Sequence, residues 1–369
     1  MTGFAQGVAI GKFYPPHAGH HHLIATAARQ CTRLAVLVMG TRFENIALAD
    51  RVKWLAAEFE GTNVDVIGMP DDCPVDYASR PIWKAHNEVL RLALKLNGIT
   101  RIDAVFSSEP YGRELAADFG AAHVMVDRDR TAFPVSGTLC REDLAASWQQ
   151  IIAPARLDLA VRVILVGAPS TGTTTLTQDL MRHYRLRYPN LADVPEFGRQ
   201  FTYDKFAAAF AGNPAATVED LVWTTQDFAV IGERQNGMEN EAALACPLVI
   251  ADTDAVATSL FERIYMGEQS HGSYRAVDQL PRRDLYLVTD HDGVVFEDDG
   301  WRETDHPRAG MTEWFKEELT AAGHSWILVS GTREQRLATA TAIIDPIIAQ
   351  RSSFTSPPWA TRTVLAGAR

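Results

Sequence analysis

Two histidines near the amino end have the spacing and the surroundings of a phosphate-binding site. His17 and His20 lie in the decapeptide that starts at Gly11, between the apolar run Val8–Ile10, which predicts a buried strand, and a run that predicts a helix. Because they are three residues apart at a helix entry, both imidazoles can face one spot beside the free N–H groups of the first turn. Those donors and the helix dipole favour an anion. The pair therefore suits a triphosphate whose charge grows during a reaction.

A second phosphate-binding pattern lies in the heptapeptide Val135–Arg141. Ser136 and Thr138 can cap a helix while they offer hydroxyl and N–H groups to a phosphate. Arg141, one turn further on, carries a planar fork of donors that matches phosphate oxygens. A lone arginine is more often a surface charge, but together with the histidine pair it favours one shared phosphate site.

The two segments resemble the GxFxPxHxGH and (I/V)S(G/S)TxxR motifs of the nucleotidyltransferase superfamily, which joins a nucleotide to a phosphate and releases pyrophosphate. The form Gly-Lys-Phe-Tyr-Pro-Pro-His, followed by a second domain, is similar to the NadR-type bifunctional nicotinamide-nucleotide adenylyltransferase/ribosylnicotinamide kinases. This resemblance implies ATP and nicotinamide mononucleotide as substrates, with Mg²⁺ on the triphosphate. The residues that it implies are Lys12, His17, His20 and Arg141 as cationic or donor groups in catalysis, and Gly11, Phe13, Ser136 and Thr138 as ATP contacts.

The expected chemistry needs no strong general base, because the attacking phosphate oxygen of the mononucleotide is already ionised at neutral pH. Catalysis can come from alignment of that oxygen with the α-phosphorus of ATP and from stabilisation of the developing charge. The first strand begins almost at once, so we expect no DNA-binding helix-turn-helix of the kind that some relatives carry, and no repressor role.

The acceptor site has two candidate segments. The indole face of Trp83, just inside a predicted helix, could stack on a cationic pyridinium, a contact worth about 1–2 kcal/mol when desolvated. The alternative is that Trp83 is a core tryptophan. In the family that the chain resembles, a tryptophan near this place contacts nicotinamide, so the two interpretations are about equally supported. Ser108 and Glu109 follow a predicted strand and resemble the Ser-Glu loop of the family, with an ordinary turn as the alternative. Asp50 is predicted to be a helix N-cap.

A glycine-rich loop, Gly167–Leu176, follows an apolar strand and precedes a helical pattern, which is the context of a phosphate-binding P-loop. Thr173 stands where the motif has lysine. A unit charge about 4 Å from a phosphate is worth about 1–4 kcal/mol, so the change is serious, although backbone and metal remain. Thr174 is the expected hydroxyl on the Mg²⁺ side. The predicted phosphate contacts of this loop are Gly167, Ser170, Gly172, Thr173, Thr174 and Thr175.

Kinase chemistry requires a carboxylate, since the acceptor is a neutral sugar hydroxyl that must lose a proton. Glu196 resembles the acid of the family's Glu-x-Gly-Arg segment and is expected to be the base or a ribose ligand, with Arg199 as a phosphate clamp. A solvated salt-bridge turn is the alternative. Asp252 and Asp254 end an apolar strand and are expected on the Mg²⁺ side. Arg302 and Arg308, in a segment that resembles the family's lid, could supply the charge that Thr173 lacks.

Composition fits a two-domain protein of the α/β class. The chain has 369 residues, a net charge of −11 and four scattered cysteines without a CxxC pair. We therefore expect a cytoplasmic protein with small-molecule partners (ATP, nicotinamide mononucleotide and nicotinamide riboside), without nucleic acid or membrane, and with homo-oligomer formation left open. Alternating strand and helix patterns predict two doubly wound parallel-sheet domains, a Rossmann-like HxGH nucleotidyltransferase domain at 1–156 and a P-loop kinase-like domain at 157–351, with 352–369 unassigned.

Two alternatives remain open from the sequence. The P-loop domain could only bind or sense nucleotide, which the replacement of lysine by Thr173 favours, whereas Glu196, Asp252 and Arg302 favour an active kinase. The first domain could also serve another phosphate acceptor, such as phosphopantetheine, because the histidine motif alone does not select the acceptor.

Overall fold

The computed structural model describes residues 3–74, 76, 79–295 and 308–359. The chain divides into two compact units. One comprises Met1–Arg156 together with Ser352–Arg369, and the other comprises Leu157–Arg351. In the part of the chain that is described, no helix combines the length and the apolar character that a membrane span requires.

The first unit is a parallel sheet of five strands in the order β3-β2-β1-β4-β5. Its central strands are continuous apolar runs, as expected when helices cover both faces of a parallel sheet. The strands are β1 (Phe4–Gly11), β2 (Cys31–Gly40), β3 (Val64–Pro70), β4 (Ala104–Ser107) and β5 (Ala122–Met125). The helices are α1 (Ala18–Ala28), α2 (Leu48–Glu58), α3 (Arg80–Leu96), α4 (Gly112–Phe119), α5 (Gly137–Glu142) and α6 (Ala153–Leu159), with a 3-10 turn at Trp148–Gln150.

The second unit is a parallel sheet of four strands in the order β7-β6-β8-β9. Its strands are β6 (Val161–Gly167), β7 (Leu248–Asp252), β8 (Leu285–Thr289) and β9 (Trp326–Val329). Its helices are α7 (Thr173–Arg185), α8 (Phe197–Gly212), α9 (Thr225–Ala245), α10 (Ala255–Met266), α11 (Tyr274–Asp278), α12 (Arg308–Ala321) and α13 (Arg333–Arg351), with a 3-10 turn at Val218–Asp220. The predicted α/β class with parallel sheets is confirmed.

Each sheet has one place where the strand order reverses, and that place is where ligands bind in folds of this type. In the first unit it lies between β1 and β4. The histidine loop, which we define as the decapeptide Gly11–His20, and the Ser-Glu loop with Ser108 and Glu109 therefore emerge side by side at the carboxyl ends of these strands. In the second unit it lies between β6 and β8, directly below the P-loop. The topology thus brings the predicted site loops to the binding edge of each sheet.

One local prediction was wrong, and one strand was not predicted. Helix α2 is capped by Ala47, and Asp50 lies inside its first turn, where a carboxylate is favoured by the helix dipole instead of by a cap bond. The central strand β8 was not predicted at all, although Leu285–Thr289 is a buried apolar run. Its five residues are too few to separate a strand from a helix segment by periodicity.

Candidate active sites

The histidine loop of the first unit depends on glycine at two positions. A Cβ atom on Gly11 would lie 3.2 Å from the ring of Phe13, and one on Gly19 would lie 3.2 Å from the ring of His17. Both contacts are with side chains that the loop itself buries, since Phe13 is 1% and His17 is 4% exposed. The glycines of the motif therefore allow the rings to fold back onto their own backbone.

His17 and His20 form a stacked pair at the start of α1. Their ring centroids are 3.7 Å apart, and the backbone N–H of His17 donates to Nδ1 of His20 over 3.3 Å. Phe13 packs edge-on against His20 with a centroid distance of 4.8 Å. Within the described residues, buried Nδ1 of His17 has no hydrogen-bond partner. A buried polar atom of this kind requires an explanation, and a ligand at this position would provide one.

Burial keeps both imidazoles neutral in the ligand-free protein. It lowers the pKa of His17 to about 4, and the charges of Arg130 and Arg141 act in the same direction. Burial also lowers the pKa of His20 well below its usual value, with His17 and Arg130 as further causes. The sequence predicts that the histidines act either as cations or as hydrogen-bond donors. The lowered pKa values favour the second role, in which both rings are neutral. The positive charge at this site comes from arginine and lysine.

Arg141 joins helix α5 to the histidine loop. Its guanidinium donates to the carbonyl oxygen of Tyr14 over 2.6 Å and to Oγ1 of Thr138 over 3.2 Å, and it lies over the Tyr14 ring at 5.3 Å from the centroid. Ser136 caps α5, because its hydroxyl oxygen accepts from the N–H of Leu139 over 3.2 Å. The structure therefore brings together the two segments that the sequence pairs as one phosphate site.

Lys12 is held by a group of charges that sequence reasoning missed. Its ammonium lies 2.9 Å from Glu44, and the other carboxylate oxygen of Glu44 lies 2.9 Å from Arg51. Arg51 is fully buried, donates to the carbonyl oxygen of Lys12 over 2.9 Å and lies over the ring of Tyr14 at 5.3 Å. The clue in the sequence was position, since Glu44 and Arg51 follow β2 at the same sheet edge as the histidine loop.

The predicted acceptor residues lie on the loop after β4 (Ser108 and Glu109) and in the first turn of α3 (Trp83). Ser108 is partly buried, and Glu109 makes an ion pair of 2.8 Å with Arg130, the arginine whose charge reaches both histidines. Trp83 packs against the core of the first unit, and its indole N–H donates to Asp118 over 2.8 Å. These contacts give Trp83 a packing role, and its stacking on nicotinamide stays a prediction. Arg130 was missed because it stands in a short run of alternating charges that looks like a solvated turn.

The P-loop of the second unit has the shape of a phosphate cradle. A Cβ atom on Gly167 would lie 2.2 Å from Oγ1 of Thr289, and Gly172 has φ of +88°, so glycine is required at both positions. Helix α7 begins directly after Gly172, at Thr173, and its first N–H groups point into the loop. Arg336 stabilises the backbone of the loop, because its guanidinium donates to the carbonyl oxygen of Thr171 over 2.7 Å.

Thr174 and Asp252 form a pair at the mouth of this cradle. The hydroxyl of Thr174 donates to Oδ2 of Asp252 over 2.6 Å, and Asp252 ends strand β7 with 6% of its surface exposed. A hydroxyl and a carboxylate are oxygen donors, which Mg²⁺ prefers. The donor set therefore fits the Mg²⁺ that the sequence predicts.

A cavity of about 470 Å³ opens in front of the P-loop. The predicted residues Glu196 and Arg199 line it and face each other across 3.6 Å. Buried Gln235, which was not predicted, bonds to the N–H of Phe197 and to the carbonyl oxygen of Thr253 and so ties the Glu196 segment to the Asp252 loop. The remaining wall is aromatic, and its rings come from four separate helices and a loop. The sequence predicts packing and acceptor contacts from the segments 218–245 and 255–266, which carry four of these rings, but it does not single out the rings themselves. These aromatic residues are Tyr203, Trp223, Phe228, Phe261, Tyr265 and Phe315.

Arg308 reaches the P-loop from the start of α12. Its guanidinium donates to the carbonyl oxygen of Val294 over 3.0 Å and approaches that of Ser170 to 3.5 Å, and it lines the same cavity as Thr173. A guanidinium thus stands over the loop whose motif lysine is replaced. Arg302, the other predicted arginine, lies outside the described residues, as does the surrounding stretch 296–307.

The prediction of Asp254 as a metal ligand was wrong. Its side chain is fully buried and caps α10, accepting from the N–H groups of Val256 and Ala257 over 2.9 and 3.1 Å. Its second oxygen accepts from the hydroxyl of Tyr286 over 2.6 Å and from Arg283 over 3.3 Å. All its capacity is used inside the protein, and it does not line the cavity.

Comparison with known proteins finds proteins that are similar to this chain. A model of the AAA domain family matches residues 162–336. The Trifunctional NAD biosynthesis/regulator protein NadR of Salmonella typhimurium (strain LT2) is 26% identical over 299 residues, which cover 77% of this chain and 68% of that protein. NadR of Escherichia coli (strain K12) matches to the same extent, with 26% identity over 300 residues. A crystal structure of a NadR protein with NAD and AMP-PNP superposes with a TM-score of 0.56 at 21% identity, covering 92% of this chain and 96% of that one. The chain is a homologue of the NadR proteins.

Proposed function

We propose that this chain is an enzyme of NAD biosynthesis with two activities. The first unit transfers the adenylyl group of ATP to nicotinamide mononucleotide, giving NAD and pyrophosphate. The second unit phosphorylates nicotinamide riboside and so supplies the mononucleotide. The observation that carries this proposal is the hydrogen bond of 2.6 Å from Arg141 to Tyr14, which brings the arginine of one motif onto the histidine loop of the other.

In the first unit, a phosphate oxygen of the mononucleotide attacks the α-phosphorus of ATP, and the bond to the bridging oxygen of the leaving pyrophosphate breaks. His17 and His20 are neutral at pH 7 and donate N–H groups to phosphate oxygens at the start of α1. Arg141 and Lys12 stabilise the charge that moves onto the leaving group. Glu44 orients Lys12 by its ion pair of 2.9 Å.

In the second unit, the ribose hydroxyl attacks the γ-phosphorus of ATP, and Glu196 accepts its proton as ADP leaves. Glu196 lies in the cavity wall beside Arg199, and the aromatic wall offers apolar faces to a flat, positively charged nicotinamide ring. A related NadR protein has been crystallised in complex with NR, and it superposes on 92% of this chain with a TM-score of 0.55 at 20% identity. This supports a nucleoside ligand for the cavity.

Thr174 and Asp252 would hold Mg²⁺ in the second unit. The ion, when bound, neutralises phosphate charge during transfer. Arg308 takes over the task of the missing lysine, because its guanidinium lies over the loop at Ser170. A fixed guanidinium can contact two phosphate oxygens at once, which the threonine hydroxyl at position 173 cannot do.

An alternative is that the second unit only binds nucleotide, as the loss of the motif lysine suggests. Two variants of the full chain test the two activities separately, because both activities are measured on the same preparation of each variant. In His20→Ala, riboside-dependent ADP release should continue while NAD formation stops. In Glu196→Gln, NAD formation from the mononucleotide should continue while ADP release stops. A wild-type chain that forms NAD but releases no ADP with riboside would overturn the proposed kinase activity.

Another phosphate acceptor for the first unit is tested in the same assay. Pyrophosphate release is measured with ATP and either nicotinamide mononucleotide or phosphopantetheine. The proposal requires release with the mononucleotide, and faster release with phosphopantetheine would overturn it.

A further inference from the structure

The chain after helix α13 packs onto the first unit as an extended strap, which we define as Ser352–Trp359. The strap adds no strand to the sheet. It lies against the loops that follow β1 and β2, and Pro357 within it is buried. No role for this segment is predicted from the amino-acid sequence.

The strap is bonded to two residues of the loop that follows β2, Asn45 and Phe43. The side-chain oxygen of Asn45 accepts from the backbone N–H of Thr355 over 3.1 Å, and its amide nitrogen donates to the carbonyl oxygen of Ser353 over 2.7 Å. The hydroxyl of Thr355 donates to the carbonyl oxygen of Phe43 over 2.6 Å. Three hydrogen bonds within three residues fix this part of the strap in register against the loop.

The strap also contacts the histidine loop, through Tyr14. The Tyr14 hydroxyl donates to the carbonyl oxygen of Thr355 over 3.0 Å and is bonded to Asn45, while the ring of Phe354 packs edge-on against the Tyr14 ring at 5.8 Å. The far end of the strap repeats this arrangement, since Trp359 packs edge-on against Phe43 at 5.2 Å.

Tyr14 is the residue on which the cations of the first unit converge. Its carbonyl oxygen accepts from Arg141, and the guanidinium groups of Arg141 and Arg51 lie over its ring, each 5.3 Å from the centroid. Tyr14 is 4% exposed, and the strap contributes to this burial. A shift of the Tyr14 ring would therefore move the guanidinium that we assign to the triphosphate.

We propose that Phe354 and Thr355 are positioning residues of the adenylyl-transfer site. They act through Tyr14, which they hold by one ring contact and one hydrogen bond, and through Asn45, which fixes the loop carrying Glu44. This inference rests on the proposed function of the first unit. The second unit, which ends at Arg351, does not need the strap for its own cavity.

The chemistry explains why a remote segment matters here. In-line transfer depends on the alignment of the attacking oxygen with the α-phosphorus, and a displacement of about 1 Å at a group far from the chemistry can cost about a hundred-fold in rate. Arg141 is anchored within the described chain on Tyr14 and Thr138, so one of its two supports is held in place by the strap.

The test uses the full chain, Phe354→Ala, the conservative Phe354→Tyr, and a chain that ends at Arg351. A chain that ends at Trp359 is the matched control for truncation. NAD formation and riboside-dependent ADP release are measured on each preparation, with KM for ATP and kcat determined separately. Hydrogen exchange of the peptides that contain Tyr14 and Asn45 is measured in parallel.

We expect Phe354→Ala and the chain ending at Arg351 to lose about ten- to a hundred-fold in kcat for NAD formation. Their ADP release should match the wild type, and exchange at Tyr14 and Asn45 should be faster. Phe354→Tyr and the chain ending at Trp359 should behave as the wild type. Unchanged exchange and unchanged kcat in both shortened and substituted chains would overturn the inference.

Failure of the proposed function gives a different result. A wild-type chain that forms no NAD overturns the proposed activity, and the exchange data then still show whether the strap orders the histidine loop. A uniform loss of both activities in Phe354→Ala would show that the strap supports folding in general, and this would also overturn a positioning role.

Discussion

The guanidinium of Arg141 donates a hydrogen bond of 2.6 Å to the carbonyl oxygen of Tyr14, which lies 127 positions earlier in the chain. This contact joins helix α5 to the loop between β1 and α1, which leads into His17 and His20 at the start of α1. The two phosphate-binding patterns of the first unit therefore meet at one place, and Arg141 is fixed there before any ligand binds.

Replacement of Arg141 by lysine should slow NAD formation about a hundred- to a thousand-fold, although the charge is kept. A lysine cannot bond to Tyr14 and to a phosphate with one rigid fork of donors. Steady-state kinetics with ATP and nicotinamide mononucleotide measure the loss. Arg33→Lys, at an exposed ion pair of the same unit, is the matched control and should leave the rate unchanged. A wild-type rate in Arg141→Lys would show that only the charge is needed.

Arg308→Ala should lower the rate of riboside phosphorylation about ten- to a thousand-fold, because it removes the guanidinium that stands over Ser170. The second substitution Thr173→Lys should restore much of this loss, since it returns a cation to the place that the motif gives to lysine. ADP release is measured for both single variants and for the double variant. If Thr173→Lys gives no recovery in the Arg308→Ala background, Arg308 does not replace the lysine.

Several elements of this structure were predictable because local patterns specify them. Strand β1 contains the apolar run Val8–Ile10 that predicts it, since an apolar run followed by glycine marks a buried strand and its end. The P-loop followed from glycine spacing between a strand and a helix. These features depend on residues that are neighbours in the chain, so a local sequence pattern is enough to predict them.

Other features could not be predicted, because distant parts of the chain create them. Glu44 holds Lys12 across 32 positions, and the strap reaches Tyr14 across 341 positions. Asp254 has the same local pattern as Asp252, and only the buried Arg283 and Tyr286 distinguish their roles. Burial, which only the fold creates, makes the histidines neutral.

Asp254→Asn should destabilise the second unit by about 3–5 kcal/mol, because it leaves the buried Arg283 without one of its carboxylate partners. The residual folded protein should keep the wild-type KM for Mg²⁺–ATP. Asp252→Asn is the matched comparison, and it should change that KM or kcat with a smaller effect on stability. Urea unfolding and kinase kinetics measure the two effects. An altered Mg²⁺ requirement in Asp254→Asn would show that Asp254 contributes to metal binding after all.

The stability of the first unit should fall as the pH falls from about 6.5 towards 4. The folded protein holds the pKa of His17 at about 4, so the unfolded chain binds the proton first and is favoured in acid. Between pH 7 and pH 5, His17 alone accounts for about 2 kcal/mol of unfolding free energy. His20 acts in the same direction.

The measurement is urea unfolding of wild type and His17→Asn at pH 7 and pH 5. The variant should lose less stability than the wild type on acidification, since asparagine does not titrate. An equal loss in both proteins would show that folding does not lower the pKa of His17.

The most direct measurement of the central claim is NAD and pyrophosphate formation by the purified chain from ATP and nicotinamide mononucleotide, compared with that of His20→Ala. The account predicts equal amounts of the two products from the wild type. It predicts no detectable NAD from a variant whose unfolding transition and riboside-dependent ADP release are those of the wild type. Normal turnover by folded His20→Ala, or a wild type that forms no NAD, would contradict it.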